Sequence, residues 1–515
     1  MVYNQKNLKV EYFPGSHTGE AVANRVKDIA KSFGLPGDKI LYCCTDNASN
    51  MDLCVEGFMK EAPTIRIYCA CHWLQLVVND AIKESGMMQA VENLKDYIAY
   101  VGRSSSASQR LEAIQKELHP SKEPRKLVKN VDTRWCSLYL MCNRAVQLQD
   151  SIIKHVMELM VNKDTQLVTC LMTQDLDHLK HLTAVLCPFY DANMALEGDK
   201  DASISAVFPQ LQRIQRRVRV DNALVVEPAV FEYRDEKVVE VKAAVEIKHA
   251  ELPEYIQKLK VLLYHKLVER WGRESKVAHL YPVYLASTFL DHKYRNNKDL
   301  ALFKDTAFFF INNMALDMMK KEAAAAAAAA AAQPRRAEER VPNASAAPPA
   351  TSFGSGKAGL KLTAAQIAHL ESMADEEEAF AAAGRTEGDR LSEEEMKTKV
   401  LDEIDRLKKE KVDFDSIGSV SSIDWWKSYR GSFPILCRLA RSLLSIPASS
   451  ASCERVFSQA GLTLSKLRTR LGVDTMANLM MIKYHHGEDK VYLTLKDWEE
   501  VCERLTDEKR EEGQN

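Results

Sequence analysis

The sequence predicts an α/β domain at the N-terminal end of the chain, followed by a longer all-α part. Strand and helix patterns alternate over roughly the first hundred residues, strand patterns fade beyond about residue 134, and the C-terminal block is patterned as helices. The length of 515 residues exceeds what one compact core accommodates, so we expect two or three domains. The 46% hydrophobic and 28% charged residues are typical of globular proteins.

The N-terminal elements are short and alternate in type. Apolar residues at steps of three and four mark the helices, and short apolar runs mark buried strands. The predicted elements are a helix over 20–33, a strand over 40–44, a helix over 48–60, a strand over 65–69 and a helix over 72–83. This order predicts a partly parallel sheet covered by helices.

Beyond residue 134 the spacing predicts helices alone. We expect them over 137–159, 176–190, 253–271, 433–443 and 454–460, with a last one after residue 474. Residues 321–361 are different, because poly-alanine and then a Pro/Ser/Gly-rich stretch cannot bury enough apolar surface to offset their ordering entropy. We interpret them as a flexible insertion, followed by a polar helical stretch.

The net charge and the distribution of cysteines limit how the protein can bind DNA and in which compartment it is expected. The formal net charge of −2 excludes a uniformly basic protein that coats DNA, although residues 213–219 and 466–470 are local basic candidates. Their alternative role is a solvated helix face or intramolecular salt bridges. The 12 scattered cysteines fit a reducing compartment, and we find neither a secretory signal nor a bilayer-spanning run. We expect the nucleus, with the cytoplasm as the alternative.

Two carboxylates are candidates for chemistry. Asp46 follows an apolar strand, and open α/β sheets bind ligands at the carboxyl ends of their strands. Asp46 or Asn47 can equally cap the next helix. Glu454 lies among apolar neighbours, where a carboxylate must be paired or bound to metal; Arg455 is one possible partner.

Two further motifs are ambiguous. Cys69 and His72 lack the second ligand pair that a structural zinc site needs, so buried cysteines and a histidine at a helix start are the alternative. Arg134 and Trp135 can contact phosphate and stack on an unstacked base, but such a tryptophan also serves as ordinary core.

Several short motifs follow one another along the chain, and their order is characteristic. They are Phe13-Pro14-Gly15-Ser16-His17-Thr18-Gly19-Glu20, Thr45-Asp46-Asn47-Ala48-Ser49-Asn50-Met51, Cys69-Ala70-Cys71-His72, Thr133-Arg134-Trp135, Tyr284-Leu285-Ala286-Ser287-Thr288-Phe289-Leu290-Asp291, Trp425-Trp426, Phe433-Pro434, the block from Ser449 to Ser458, and Lys466-Leu467-Arg468-Thr469-Arg470-Leu471. The order resembles the hAT transposase superfamily and its domesticated relatives, the BED zinc-finger proteins.

The resemblance implies a ribonuclease H-like fold that is interrupted by a long helical insertion and completed by C-terminal dimerisation helices. In active relatives three carboxylates hold two metal ions, which stabilise the entering and leaving oxygens of phosphodiester cleavage. Asp46 matches the second acidic position and Glu454 the third. Arg134 and Trp135 match a motif that stacks on a flipped base, and Cys69 with His72 matches an element near the active site.

The chain departs from the family pattern at its start. The first acidic residue of the family precedes the Phe13 to Glu20 motif, and only residues 1–12 precede it here. We therefore expect an incomplete ribonuclease H-like domain without its first strand, no BED finger and no strand transfer. We expect no cofactor; Mg²⁺ or Mn²⁺ would bind at Asp46 and Glu454 only in an active enzyme.

The predicted domains follow from these boundaries. They are 1–136 (partial ribonuclease H-like), 137–320 (helical insertion), 321–375 (disordered), 376–424 (polar helical), 425–486 (dimerisation region) and 487–515 (charged tail). The predicted dimerisation residues are Trp425, Trp426, Phe433, Leu436, Leu443, Phe457, Leu471, Leu479 and Ile482. These apolar residues suit intramolecular packing equally well.

Three functions remain open from the sequence. The first is an inactive, transposase-derived nuclear protein that dimerises and contacts DNA. The second is a fragment of an active transposase, and the third is a scaffold that binds protein partners. The expected partners are a second copy of the chain and DNA, with no membrane and no small-molecule substrate.

Overall fold

The computed structural model describes fourteen segments of the chain. They are residues 16–34, 42–59, 64–131, 135–161, 171–198, 201–227, 230–234, 237–242, 244–272, 274–332, 391–410, 420–463, 472 and 475–480. The chain forms two compact units, one of Met1–Ile311 with Glu410–Asn515 and one of Asn312–Lys409. No helix among these segments is long and apolar enough to cross a membrane.

The predicted alternation of helix and strand at the N-terminal end is confirmed. The elements are α1 (Gly19–Ser32), β1 (Tyr42–Thr45), α2 (Ser49–Met59), β2 (Ile65–Tyr68) and α3 (Ala70–Ser85). The two strands pair in parallel, as expected, from Tyr42 opposite Ile65 to Thr45 opposite Tyr68. Parallel pairing places the carboxyl ends of both strands at one edge of the sheet.

Helix α1 packs against α2 through a glycine. The hydroxyl of Thr18 caps α1 by accepting a hydrogen bond from the backbone N–H of Ala21 (3.3 Å). A Cβ atom on Gly19 would overlap the carbonyl oxygen of Asn50 and lie 2.5 Å from Cβ of Leu53. Close approach of the two helices therefore requires glycine at this position.

The middle of the first unit consists mainly of helices. They are α4 (Met88–Arg103), α5 (Ser105–Leu118), α6 (Trp135–Gln147), α7 (Gln149–Val161), α8 (Thr173–Leu196), α9 (Ile204–Val218), α10 (Glu254–Trp271), α11 (Tyr281–Leu290) and α12 (His292–Arg295). Helix α8 contacts α3, α4, α6 and α9. Its side chains Leu179, Leu182, Leu186 and Phe189 are fully buried at helical spacing, so α8 is the centre of this core.

Four short strands correct the prediction that this part is purely helical. Strand β3 (Leu224–Glu227) pairs antiparallel with β6 (Val245–Ile247), and β4 (Val230–Arg234) pairs antiparallel with β5 (Lys237–Lys242). The β-branched pairs Val225-Val226 and Val238-Val239 favour strands locally. The sequence prediction missed these strands because the residues on both sides of this short stretch have helical spacing.

The alanine run is a second correction. Helix α13 (Lys304–Ala332) continues through it, because alanine has the highest helix propensity of all residues. The predicted flexible insertion is therefore wrong for residues 321–332, and its remainder, 333–375, lies outside the described residues. The predicted polar helical stretch, 376–424, is confirmed over α14 (Glu393–Lys409), and its residues 376–390 and 411–419 lie outside the described residues. Lys320 pairs with Glu393 within the second unit (2.8 Å).

Three helices and a helical stretch over residues 475–480 make up the described C-terminal block. The helices are α15 (Ser422–Ser428), α16 (Pro434–Leu444) and α17 (Ala451–Thr463). The indole N–H of Trp426 donates to the carbonyl oxygen of Leu290 (2.8 Å), which attaches α15 to the end of α11. The described protein is thus mostly helical, with a small parallel α/β element.

Replacing Gly19 with alanine tests the α1–α2 contact. We expect a loss of about 1–3 kcal/mol in the free energy of unfolding, because overpacked contacts cost this much. Urea unfolding followed by circular dichroism measures the loss. Gly431→Ala is the matched control, since a Cβ atom at Gly431 has no neighbour within 4 Å. Equal losses in both variants would show that the contact is not tight.

Candidate functional site

The carboxyl ends of β1 and β2 meet at the motifs that the sequence singled out. Asp46 follows β1, and Cys69 follows β2. The backbone N–H of Cys69 donates to the carbonyl oxygen of Thr45 (2.9 Å), so the two strand ends are joined directly. Ligands of open α/β sheets bind at such an edge.

The Cys69 thiol connects this edge to the C-terminal block. Its Sγ accepts hydrogen bonds from the backbone N–H groups of His72 (3.4 Å) and Ser450 (3.3 Å). The backbone N–H of Ala70 donates to the carbonyl oxygen of Ala448 (2.9 Å). Cys69 is fully buried, so these contacts hold together segments 381 positions apart.

Burial is the main reason that the pKa of the Cys69 thiol is raised. The hydrogen bonds from Ser450 oppose this shift of the pKa, and the charge of Glu454 adds to it. The thiol therefore stays protonated at neutral pH and serves as a hydrogen-bond acceptor, not as a nucleophile.

The start of the block from Ser449 to Ser458 is also fixed to helices α8 and α9. The hydroxyl of Ser449 donates to the carbonyl oxygen of Leu196 (3.0 Å), and the backbone N–H of Ala448 donates to the hydroxyl of Ser203 (3.0 Å). The Arg455 guanidinium donates to the carbonyl oxygen of Glu197 (3.0 Å). The block is thus a structural junction between the helical part and the sheet edge.

Asp46 is half-buried, and its side chain forms a turn just before α2. Its Oδ1 accepts a hydrogen bond from the backbone N–H of Ala48 (3.3 Å), just before α2 begins. Its carbonyl oxygen accepts from the guanidinium of Arg66 (2.7 Å). No backbone N–H within α2 donates to Asp46 among the hydrogen bonds of the described residues, so capping by Asp46 or Asn47 stays a prediction.

Arg66 is a residue of this edge that the sequence prediction missed. Its side chain is 7% exposed, pairs with Asp52 and donates to the hydroxyl of Thr45 (2.9 Å). Its guanidinium also lies 4.3 Å from the ring centroid of Tyr68. An arginine inside the predicted apolar strand 65–69 was the available signal, because a charge buried in a strand needs partners.

Glu454 is exposed on the first turn of α17, so it bears no cost of burial. Its Oε1 accepts from the hydroxyl of Ser450 (3.4 Å). Among the described residues, no group of three or more His, Cys, Asp or Glu side chains is placed to hold a metal ion. The described residues therefore do not fit a two-metal site, and metal binding by Asp46 and Glu454 alone stays a prediction.

The described DNA-contact candidates lie at the starts of α3 and α6, two helices that contact each other. His72 is half-buried on α3, and Cys69 is in the junction described above. Trp135, at the start of α6, is 4% exposed, which accords with core packing; stacking on a base stays a prediction. Arg134 lies outside the described residues.

The predicted dimerisation residues are mostly buried within the chain. Those with 6% exposure or less are Trp425, Trp426, Phe433, Leu436, Leu443 and Leu479. Phe457 on α17 is 69% exposed. Leu471 and Ile482 lie outside the described residues. The intramolecular packing that the sequence left open is therefore present, and Phe457 is the accessible member of the described set.

A buried polar cluster around Trp425 also escaped the sequence prediction. The ring of His292 stacks on Trp425 (centroids 5.6 Å apart, 5° between planes), and the guanidinium of Arg295 lies 4.8 Å from the same ring. Asp291 accepts a hydrogen bond from the hydroxyl of Ser205 (2.6 Å). Burial raises the pKa of Asp291, lowers that of His292 and lowers that of Arg295 to about 10.

Comparison with known proteins supports the resemblance. Residues 399–485 match the family model of the hAT family C-terminal dimerisation region, and residues 67–183 match that of the ZBED1 RNase-like helical domain. The "Putative transcriptional regulator tpeD" of Talaromyces stipitatus is 22% identical over 241 residues. This alignment covers 40% of the present chain and 27% of the relative, so it spans about a quarter of that protein.

Replacing Cys69 with alanine tests the junction. We expect a loss of about 1–3 kcal/mol in the free energy of unfolding, because two backbone N–H groups lose their acceptor. Cys69→Ser should lose less, since a hydroxyl can still accept. Urea unfolding provides the measurement.

Cys142→Ala separates the loss of volume from the loss of hydrogen bonds. Cys142 is as fully buried as Cys69, but it lies within helix α6 and not at the junction. A Cys69→Ala variant no less stable than Cys142→Ala would contradict a structural role for the thiol.

Proposed function

We propose that this chain, which carries an hAT-type dimerisation region and a ZBED-type RNase-like helical domain, is a transposase-derived nuclear protein that dimerises and contacts DNA without transposing it. The match of residues 399–485 to the dimerisation region carries the proposal. The relative named as a transcriptional regulator supports a role at DNA.

Self-association is proposed to centre on the exposed face of α17. Phe457 is 69% exposed within the matched dimerisation region, and exposed aromatic side chains are frequent anchors of protein interfaces. The buried tryptophans of α15 contribute indirectly, because they hold the block in place. A second copy that covers Phe457 would remove this apolar surface from water.

We propose that the chain does not transpose DNA, and the positions of its candidate carboxylates support this. The carboxylate of Asp46 accepts a backbone hydrogen bond before α2, and Glu454 is exposed on α17. Two-metal catalysis needs carboxylates that converge on both ions. The described residues offer no such group of three, so we derive no catalytic step.

The nuclear location is supported by the cysteines. The ten described cysteines are all free thiols, although several are buried beside one another in the fold. Free thiols in this number are typical of a reducing compartment, which includes the nucleus.

Contact with DNA is proposed for the basic end of α9. Arg213, Arg216 and Arg219 pair with Asp191, Asp299 and Asp221. Arg217 is exposed, and no ion pair is found for it within the described part of the chain. It is therefore the arginine of this segment that can contact a phosphate group of DNA without giving up a carboxylate partner.

Replacing Phe457 with alanine tests the dimer interface. We expect the dimer dissociation constant to rise at least about tenfold, because truncating an aromatic anchor typically costs more than 1 kcal/mol. Light scattering and sedimentation over a concentration series measure this constant. Phe309→Ala is the matched control, since Phe309 is 61% exposed but lies outside the matched region. A wild-type chain that is monomeric at micromolar concentration would refute dimerisation itself.

Binding to duplex DNA over a salt series tests the second half of the proposal. The affinity should fall steeply as salt rises, and Arg217→Ala should reduce the slope of log K against log salt by about one unit. Arg110→Ala removes the same charge from an ion-pair network on α5 and should leave the slope unchanged. No retention on DNA at low salt would favour the protein-binding scaffold instead.

A further inference from the structure

A polar cavity of about 500 Å³ lies beside the C-terminal end of α9. One wall consists of α9 and the turn after it, and the opposite wall contributes Tyr264 of α10, Tyr294 of α12 and the stretch 297–300. The volume falls within the range of small-molecule sites, about 300–1,000 Å³. No small-molecule site was predicted from the sequence.

Three arginines dominate the lining of the cavity. Each of them pairs with one carboxylate, Arg213 with Asp191, Arg216 with Asp299 and Arg219 with Asp221, and the last two carboxylates belong to the lining. Arg216 pairs with Asp299 at 2.9 Å and Arg219 with Asp221 at 2.8 Å, in both cases through one guanidinium nitrogen. Because a guanidinium has five N–H donors, each retains donors for a ligand.

The wall that carries these arginines is held by hydrogen bonds. The amide nitrogen of the Asn222 side chain donates to the carbonyl oxygen of Arg216 (2.5 Å), and the carbonyl oxygen of Asn222 accepts from the fully buried ammonium of Lys260 (2.7 Å). On the opposite wall the side chain of Asn297 accepts from the backbone N–H of Asp299 (2.9 Å). A site fixed in this way loses little entropy when a ligand binds.

The remaining lining offers groups of both hydrogen-bonding types. The side-chain amides of Gln210, Gln212 and Gln215 in the lining each contain a donor and an acceptor. Burial raises the pKa of Tyr294 to about 12, which keeps its hydroxyl protonated and able to donate at neutral pH. The rings of Tyr264 and Tyr294 provide aromatic surface in the same lining.

We propose that this cavity binds a phosphorylated small molecule of the nucleoside di- or triphosphate class. Arg216 and Arg219 hold the phosphates, which replace Asp299 and Asp221 as their partners. The fork of an arginine matches phosphate geometry, and such charge-assisted pairs are the strong ones. The carbonyl end of α9 is itself partly negative, so the guanidiniums and not the helix dipole attract the anion.

Binding is measured by isothermal titration of the full chain with ATP, GTP and inorganic pyrophosphate at physiological salt. We expect saturable binding of at least one nucleotide and weaker binding of pyrophosphate, because pyrophosphate lacks the ring and the hydroxyl groups. Arg216→Ala should weaken nucleotide binding at least about tenfold. Its pair with Asp299 is more than half exposed, so the variant is expected to keep its thermal stability.

Arg217→Ala is the matched control, because Arg217 is next to Arg216 on the same helix but does not line the cavity. It should change nucleotide affinity less than twofold. No binding at millimolar nucleotide, or equal weakening by Arg217→Ala, would overturn the proposal.

Competition with duplex DNA tests whether the nucleotide site is distinct from the proposed DNA-binding surface, on which this inference otherwise does not depend. A nucleotide that stays bound in the presence of DNA would support a separate site. Displacement by duplex together with loss of DNA affinity in Arg216→Ala would overturn the small-molecule site in favour of DNA phosphate. Failure of DNA binding alone would leave the nucleotide titration unaffected.

Discussion

The hydrogen bonds that converge on Cys69 are the constraint on which the rest of the structure depends. They join the end of β2 to a segment 381 positions later, and the helical part of the first unit lies between these two points along the chain. Closing a loop of this length has an entropic cost that grows only slowly with length. Burial of apolar side chains around α8 offsets that cost. The hydrogen bonds at Cys69 then fix which residues of the C-terminal block meet the end of β2.

A second attachment keeps the C-terminal block in place. Trp426 donates to the end of α11, and Trp425 packs against His292 and Arg295. These contacts bury charged and polar groups that are stable only with their present neighbours. As a result, the aromatic residues that look like interface residues in the sequence form the core of the protomer, and the exposed ring of Phe457 remains for a partner.

Ion pairing determines what the basic segment of α9 can contact. Its arginines appear equivalent in sequence, yet three line a cavity and pair with carboxylates, whereas Arg217 is exposed on the surface. An exposed pair is weak, so a phosphate can replace its carboxylate. One short basic stretch therefore presents two chemically different surfaces, the lining of a cavity and the open surface around Arg217.

The sequence by itself determined the order of helices and strands from α1 to α3, the parallel direction of β1 and β2 and the resemblance carried by the motifs, because periodicity and short motifs are local properties. It missed β3 to β6, where short β-branched runs lie between helices, and it assigned flexibility to an alanine run that is helical up to Ala332. The partners of Arg66, the burial of Trp425 and the cavity beside Arg216 were decided only by the tertiary structure. Each of them depends on contacts between residues that are distant in sequence or on the space between helices. Such contacts and spaces produce no periodic pattern in the sequence.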